Sequence, residues 1–153
     1  MPIQVEAKIV IPTPAQPIFA LYADVAGWSR WDPDTRAASL DGPFQVGAKG
    51  RLVPRRGRAV PMELTQLEPD RSFTVQARIP LFRMVFEHEL RSVDGGTEAT
   101  HRATFSGLLA PLLGRMLAAQ LRTQLPVTLE SLSRHAQQRH RADTAAAARA
   151  RTR

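Results

Sequence analysis

Cysteine is missing from this 153-residue chain, and with it disulfides, thiolate nucleophiles and sulfur ligands for a metal. No stretch approaches the roughly 18 successive apolar residues that a membrane-spanning helix needs. The opening Met1-Pro-Ile-Gln-Val-Glu6 lacks the basic-then-apolar order of a secretion signal. A cytoplasmic protein of one-domain size with no membrane span is therefore expected. Nucleotide motifs are missing too. Gly47-Ala-Lys-Gly50 lacks the Lys-Ser/Thr ending of a phosphate loop and leads into a strand instead of a helix, so no cofactor is expected. Aromatic residues make up only 6% of the chain, yet both tryptophans, Trp28 and Trp31, fall within one four-residue window.

Over most of its length the chain also has little net charge. The formal total is +7, but from Arg134 to Arg153 six arginines against the single acid Asp143 give +5, leaving +2 for residues 1–133. The basicity belongs to the tail. Residues 138–153 are low in complexity, and no large apolar residue follows Leu132, so this segment reads as a basic, disordered, solubilising extension of a domain spanning residues 1–137. An arginine cluster could instead serve as a nucleic-acid arm. Because the charge lies outside the domain, no nucleic-acid partner is expected.

What is present is alternation. Ile3, Val5, Ala7, Ile9 and Ile11 alternate with polar residues, which predicts a strand with one buried face. Pro12-Thr13-Pro14 ends it, and a helix follows with Thr13 placed to cap it and Ile18, Phe19, Leu21 and Tyr22 on one apolar face. Trp28 and Trp31 then share one side of a short helical turn. From Ala37 onward, strands are separated by turn signals, including a basic tip at Pro54-Arg-Arg-Gly57-Arg58. Met84, Phe86, His88 and Leu90 share one face of a strand, as do Ala99, His101, Ala103 and Phe105. Short connections imply an antiparallel meander. A two-residue Gly95-Gly96 turn would pair Asp94 with Thr97 and set Phe86 opposite Phe105, His88 opposite Ala103 and Leu90 opposite His101. Both histidines then point inward.

A long helix is expected from just after Gly107 to about Ala136. Leu109, Leu113, Leu117, Leu121 and Leu125 form one i,i+4 row, widened by Leu108, Leu112 and Met116. Pro126 inside it frees the carbonyl of Arg122 and predicts a bend.

Taken in order, these pieces resemble a known family. They are the first strand, the short helices with Asp24-Val-Ala-Gly-Trp28-Ser-Arg-Trp31-Asp-Pro33, Asp41-Gly-Pro-Phe44, Gly47-Ala-Lys-Gly50, Phe86-x-His88-x-Leu90, Gly96-Thr97, Phe105-Ser-Gly107 and the final helix. Over about residues 3–137 the chain is similar to the START-like or SRPBCC superfamily, and within it to the polyketide cyclase/dehydrase group. The resemblance implies an α+β helix-grip fold, a seven-stranded antiparallel sheet wrapped around a long C-terminal helix with a cavity between them. It also implies a small hydrophobic, lipid- or polyketide-like partner. Function is not settled by fold, since the superfamily spans carriers, receptors and a minority of enzymes.

The expected cavity residues are Trp28, Trp31, Met84, Phe86, His88, His101, Phe105, Met116, Leu117 and Gln120. Met and Phe would supply the wall and the tryptophans would edge the mouth. The preferred function is binding of a hydrophobic or aromatic ligand oriented by His88. The alternative is a cyclase, aromatase or dehydratase in which His88 moves protons. No serine or cysteine nucleophile stands at a fixed spacing from His88, and Glu87 and Glu89 face outward by parity. The inward face supplies no carboxylate or thiolate to complete a metal site, so no metal is expected. Oligomeric state is left open.

Overall fold

The computed structural model describes residues 2–153. Strand β1 (Ile3–Ile11) is followed by helix α1 (Ala15–Ala23), a single 3-10 turn (Val25–Gly27) and the short helix α2 (Trp28–Trp31). Six strands then run in sequence: β2 (Thr35–Leu40), β3 (Lys49–Pro54), β4 (Val60–Glu68), β5 (Ser72–Ile79), β6 (Phe82–Val93) and β7 (Gly96–Ser106). A π-type turn (Ala110–Gly114) leads into α3 (Arg115–Arg151). The seven strands form one antiparallel sheet in the order β1-β7-β6-β5-β4-β3-β2. Only the β1 connection crosses the sheet. It carries α1 and α2 to the far edge, and α3 returns to lie against β1, β7 and both of those helices. This is the α+β helix-grip arrangement.

Alternation correctly gives the inward faces, but the β6–β7 register is two residues from the expected one. Val93 pairs with Gly96, so the two-residue turn is Asp94-Gly95. Phe86 faces Ala103, His88 faces His101 and Leu90 faces Ala99. Gly96 belongs to the strand because β1 approaches it closely. A Cβ there would stand 2.1 Å from the Ile11 carbonyl oxygen. A slip of two preserves parity, so both histidines still point inward.

Three further expectations change. Thr13 does not cap α1. The N-cap is Pro14 with no side-chain bond, and the Thr13 hydroxyl donates to the Pro14 carbonyl at 3.0 Å. The final helix starts irregularly, with Gly107 at φ +104 and one π turn before regular geometry. Leu108, Leu112 and Met116 are therefore exposed and do not widen the buried stripe. The row Leu109, Leu113, Leu117, Leu121 and Leu125 does pack inward, though only partly buried. Lastly, α3 continues to Arg151. Its Ala145–Ala148 run has high helix propensity, and no glycine or proline follows Pro126 to stop it. Residues 141–153 are nonetheless all exposed, so this extension packs on nothing.

The interior divides into two clusters. One joins α1, α2 and the far half of α3 through Ile18, Tyr22, Trp28, Trp31, Phe73 and Leu132. The other lies under the first half of α3 and includes Val5, Phe82, Met84, Ala103 and Phe105 with the leucine row.

Candidate ligand-binding site

The site is built from rows that run straight across the sheet. Pairing places Phe73 of β5 beside His88 of β6, His88 beside His101 of β7, and His101 beside Ala7 of β1. The same registers align Val75, Phe86, Ala103 and Val5 in the next row, and Ala77, Met84, Phe105 and Ile3 in the one after. The rows share a face because strand side chains repeat every two residues. One carries imidazoles and the others are apolar.

His88 stacks flat on Phe73, with ring centroids 4.0 Å apart and planes 3° from parallel. It meets His101 nearly edge-on at 4.6 Å and 74°. His88 Nδ1 lies 3.4 Å from the Phe73 carbonyl oxygen. A carbonyl only accepts, so this long hydrogen bond selects the Nδ1–H tautomer and leaves Nε2 as the acceptor. Above the row, Tyr22 of α1 places its hydroxyl 2.8 Å from His101 Nε2. Its ring centroid is 4.9 Å from that of Phe73 and 5.5 Å from that of His88. Sequence reading puts Tyr22 only on the apolar face of α1 and misses this role. The available signal is the lone hydroxyl among Ile18, Phe19 and Leu21, which needs a partner once buried.

Burial sets the protonation of this group. Loss of solvent pulls the His88 imidazole down to about 4, against a smaller opposing pull from the Phe73 carbonyl. Burial likewise holds His101 well below the ordinary histidine value, and the neighbouring His88 adds to the effect. The Tyr22 phenol is pushed up by burial. At neutral pH the row therefore holds two neutral imidazoles and a neutral phenol. On the outer face, Glu87 and Glu89 stand 3.5 and 3.2 Å from Arg102, which also holds Glu6 at 2.7 Å. The two glutamates thus join a surface ion network instead of flanking His88 inside.

The two tryptophans differ. Trp28 Nε1 donates to the Tyr22 carbonyl at 2.9 Å, so its N–H is committed to the backbone and not offered to a ligand. Trp31 Nε1 is buried, and among the described residues it has no hydrogen-bond partner. Both rings are nearly enclosed, so they seal the end of the sheet instead of standing in an open mouth. Just beyond, Asp32 accepts hydrogen bonds from the Thr35 hydroxyl at 2.7 Å and the Asp34 amide at 2.9 Å. Burial raises its carboxyl above the usual range, and these bonds partly oppose the rise. Sequence reading misses this carboxylate, which lies in the strand-entry turn after Trp31.

Between the sheet and α3 lies a cavity of about 930 Å³, near the top of the ~300–1,000 Å³ range of small-molecule sites. All ten residues expected there border it. Trp28 and Trp31 close one end, with His88 and His101 beside them. Met84, Phe86 and Phe105 form the sheet wall, and Met116, Leu117 and Gln120 reach it from α3. Asp32, Arg55 and Thr128 border it as well. The His88 ring keeps part of its surface open, whereas His101 is buried and bonded to Tyr22. Only the first is free to turn an acceptor toward a guest.

The chain is similar in structure to several solved proteins. The ZhuI aromatase/cyclase from Streptomyces sp. R1128 matches at a TM-score of 0.74 and 20% identity, over 91% of this chain and 96% of that one. Protein MLL2253 from Mesorhizobium loti matches at 0.71 and 16%, over 88% and 97%. The di-domain ARO/CYC StfQ from the steffimycin biosynthetic pathway matches at 0.70 and 12%, over 95% of this chain and 52% of that one. At these identities the likeness is one of fold. No curated protein has a matching sequence. The pattern of the family described as polyketide cyclase / dehydrase and lipid transport covers residues 2–137, and the chain belongs to that family.

Proposed function

We propose that this protein binds a small hydrophobic or aromatic molecule in the cavity between the sheet and α3, and that His88 orients it. The observation that carries the reading is an apolar cavity with one partly open imidazole whose Nε2 is a spare acceptor. Apolar contact would supply the affinity, at roughly 25 cal/mol per Å² removed from water. A guest hydroxyl or N–H donating to His88 Nε2 would fix its direction, with a net worth of about 0.5–1.5 kcal/mol.

Native mass spectrometry of freshly purified protein is the direct test, and a retained apolar small molecule is expected. With that molecule in hand, His88→Phe keeps the stack on Phe73 but removes the acceptor, and His88→Ala removes both. Both variants should weaken binding by about threefold to tenfold, in line with one hydrogen bond. Affinity unchanged by either substitution rules out the anchor.

A second reading, a cyclase or aromatase acting on a polyketide-like substrate, draws support from the family description and from the likeness to ZhuI. The protonation of His88 weighs against it. General-base catalysis works best when the base titrates near the working pH, and a group held at about 4 is a weak base at neutrality. The enzyme reading expects turnover that disappears in His88→Ala. The binding reading expects none in either protein.

A further inference from the structure

Leu108, Leu112, Leu81 and Met116 are 79%, 72%, 59% and 51% exposed. They come together at one end of the molecule. The Leu109 amide donates to the Leu81 carbonyl at 3.1 Å, which ties the β5–β6 turn to the start of the final helix, and Leu108, Leu112 and Met116 follow one another at spacings of four. Two local features here work against folding stability. Leu81 holds φ +65, a left-handed conformation that a branched side chain adopts only at a cost. The β4–β5 turn has the same conformation at Asp70, φ +61, a residue type suited to it. Arg78 and Arg83 stand directly opposite each other on β5 and β6, a like-charge pairing that repels. Arg115 and Arg122 extend the same sign along α3. Among the described residues none of these four arginines has a carboxylate within ion-pair distance, and the chain has no acid between Glu98 and Glu130.

We infer that this end of the molecule docks on an anionic lipid bilayer, with the leucines entering the interface and the arginines meeting the headgroups. Projecting apolar side chains rimmed by cations match the two layers of such a surface, an apolar interior under anionic heads. A second copy of the chain fits poorly, because a two-fold contact would bring the same four cations against themselves. Met116 borders both this patch and the cavity, so the docked face adjoins the enclosed space.

The test is flotation of the full-length protein with vesicles of phosphatidylcholine plus phosphatidylglycerol, and with vesicles of phosphatidylcholine alone. Binding should favour the anionic vesicles and weaken with added salt. Leu108→Ser with Leu112→Ser should reduce it at least about tenfold, since both side chains are exposed and the change removes their apolar insertion without adding charge. Arg78→Gln and Arg83→Gln should each reduce it roughly fivefold while leaving thermal stability equal or higher, which separates docking from misfolding. Arg149→Gln with Arg151→Gln, at the far end of α3, should leave binding unchanged. Equal flotation with both vesicles, no flotation with either, or loss through the tail changes alone would overturn the proposal. So would a concentration-dependent dimer dispersed by Leu112→Asp.

Discussion

The two halves of the interior are built differently on the same sheet. Around Tyr22 the cluster is aromatic and sealed. Tyr22, Phe73, His88, His101 and the two tryptophans pack ring on ring, and their polar atoms are mostly paired inside the protein. Under the first half of α3 the cluster is built on Phe82, Met84 and Phe105 and is loosely covered, since every residue of the Leu109–Leu125 row is only partly buried. The cavity lies along this second cluster and ends at the first. The rigid end supplies stability and fixed polar atoms, and the looser wall is the side that can accommodate a guest.

The largest effect should come from breaking the sealed end. Phe73 carries the His88 stack and touches Tyr22, Trp28 and Phe44, so Phe73→Ala should cost ~3–5 kcal/mol in chemical denaturation. Leu117→Ala, in the half-buried row, should cost about 1 kcal/mol. Equal losses would mean that the two regions do not differ as described.

Acid sharpens the same contrast, because both histidines whose values are lowered by burial sit at the sealed end. His88 and His101 titrate near 6.5 when unfolded and lower when folded. As pH falls below about 6.5, the unfolded chain gains protons that the folded chain refuses, and stability drops. For His88 the drop continues until the folded ring protonates at about 4. Between those limits the slope should approach ~1.4 kcal/mol per pH unit for each histidine. Denaturation midpoints at neutral pH and near pH 5 measure it, and His88→Phe should remove its share. A slope unchanged in that variant would place the acid response elsewhere.

The smallest effect separates the tryptophans. Trp28→Phe leaves the Tyr22 carbonyl without its donor, whereas Trp31→Phe removes an N–H that has no partner. Trp31→Phe should be the milder change by about 1 kcal/mol. A reversed order would show that Trp31 Nε1 has a stabilising contact.

Most of this division was legible in the residues. The inward faces of β6 and β7 followed from alternation, and the leucine row from its spacing of four. The register is not legible locally, because Gly95-Gly96 has the form of a complete turn and no local signal reveals that Gly96 is needed against β1. Even so, Met84, Phe86, His88, His101 and Phe105 all border the cavity, because a register error of two leaves every side chain of β6 and β7 on its own face. The role of Tyr22 is not legible in the sequence, since its partner is 79 residues away on β7 and a helix pattern says nothing of what lies opposite its polar tip.

The sequence alone determined which side chains face inward, because the periods of strand and helix are local properties of the backbone. It also determined that the inner wall is apolar except for two histidines. Tertiary structure decided that those histidines sit side by side beneath a tyrosine, that one keeps a spare acceptor while the other is bonded, and that the leucines after Gly107 face solvent. Those outcomes depend on register and close approach between segments far apart in the chain, which no local pattern encodes.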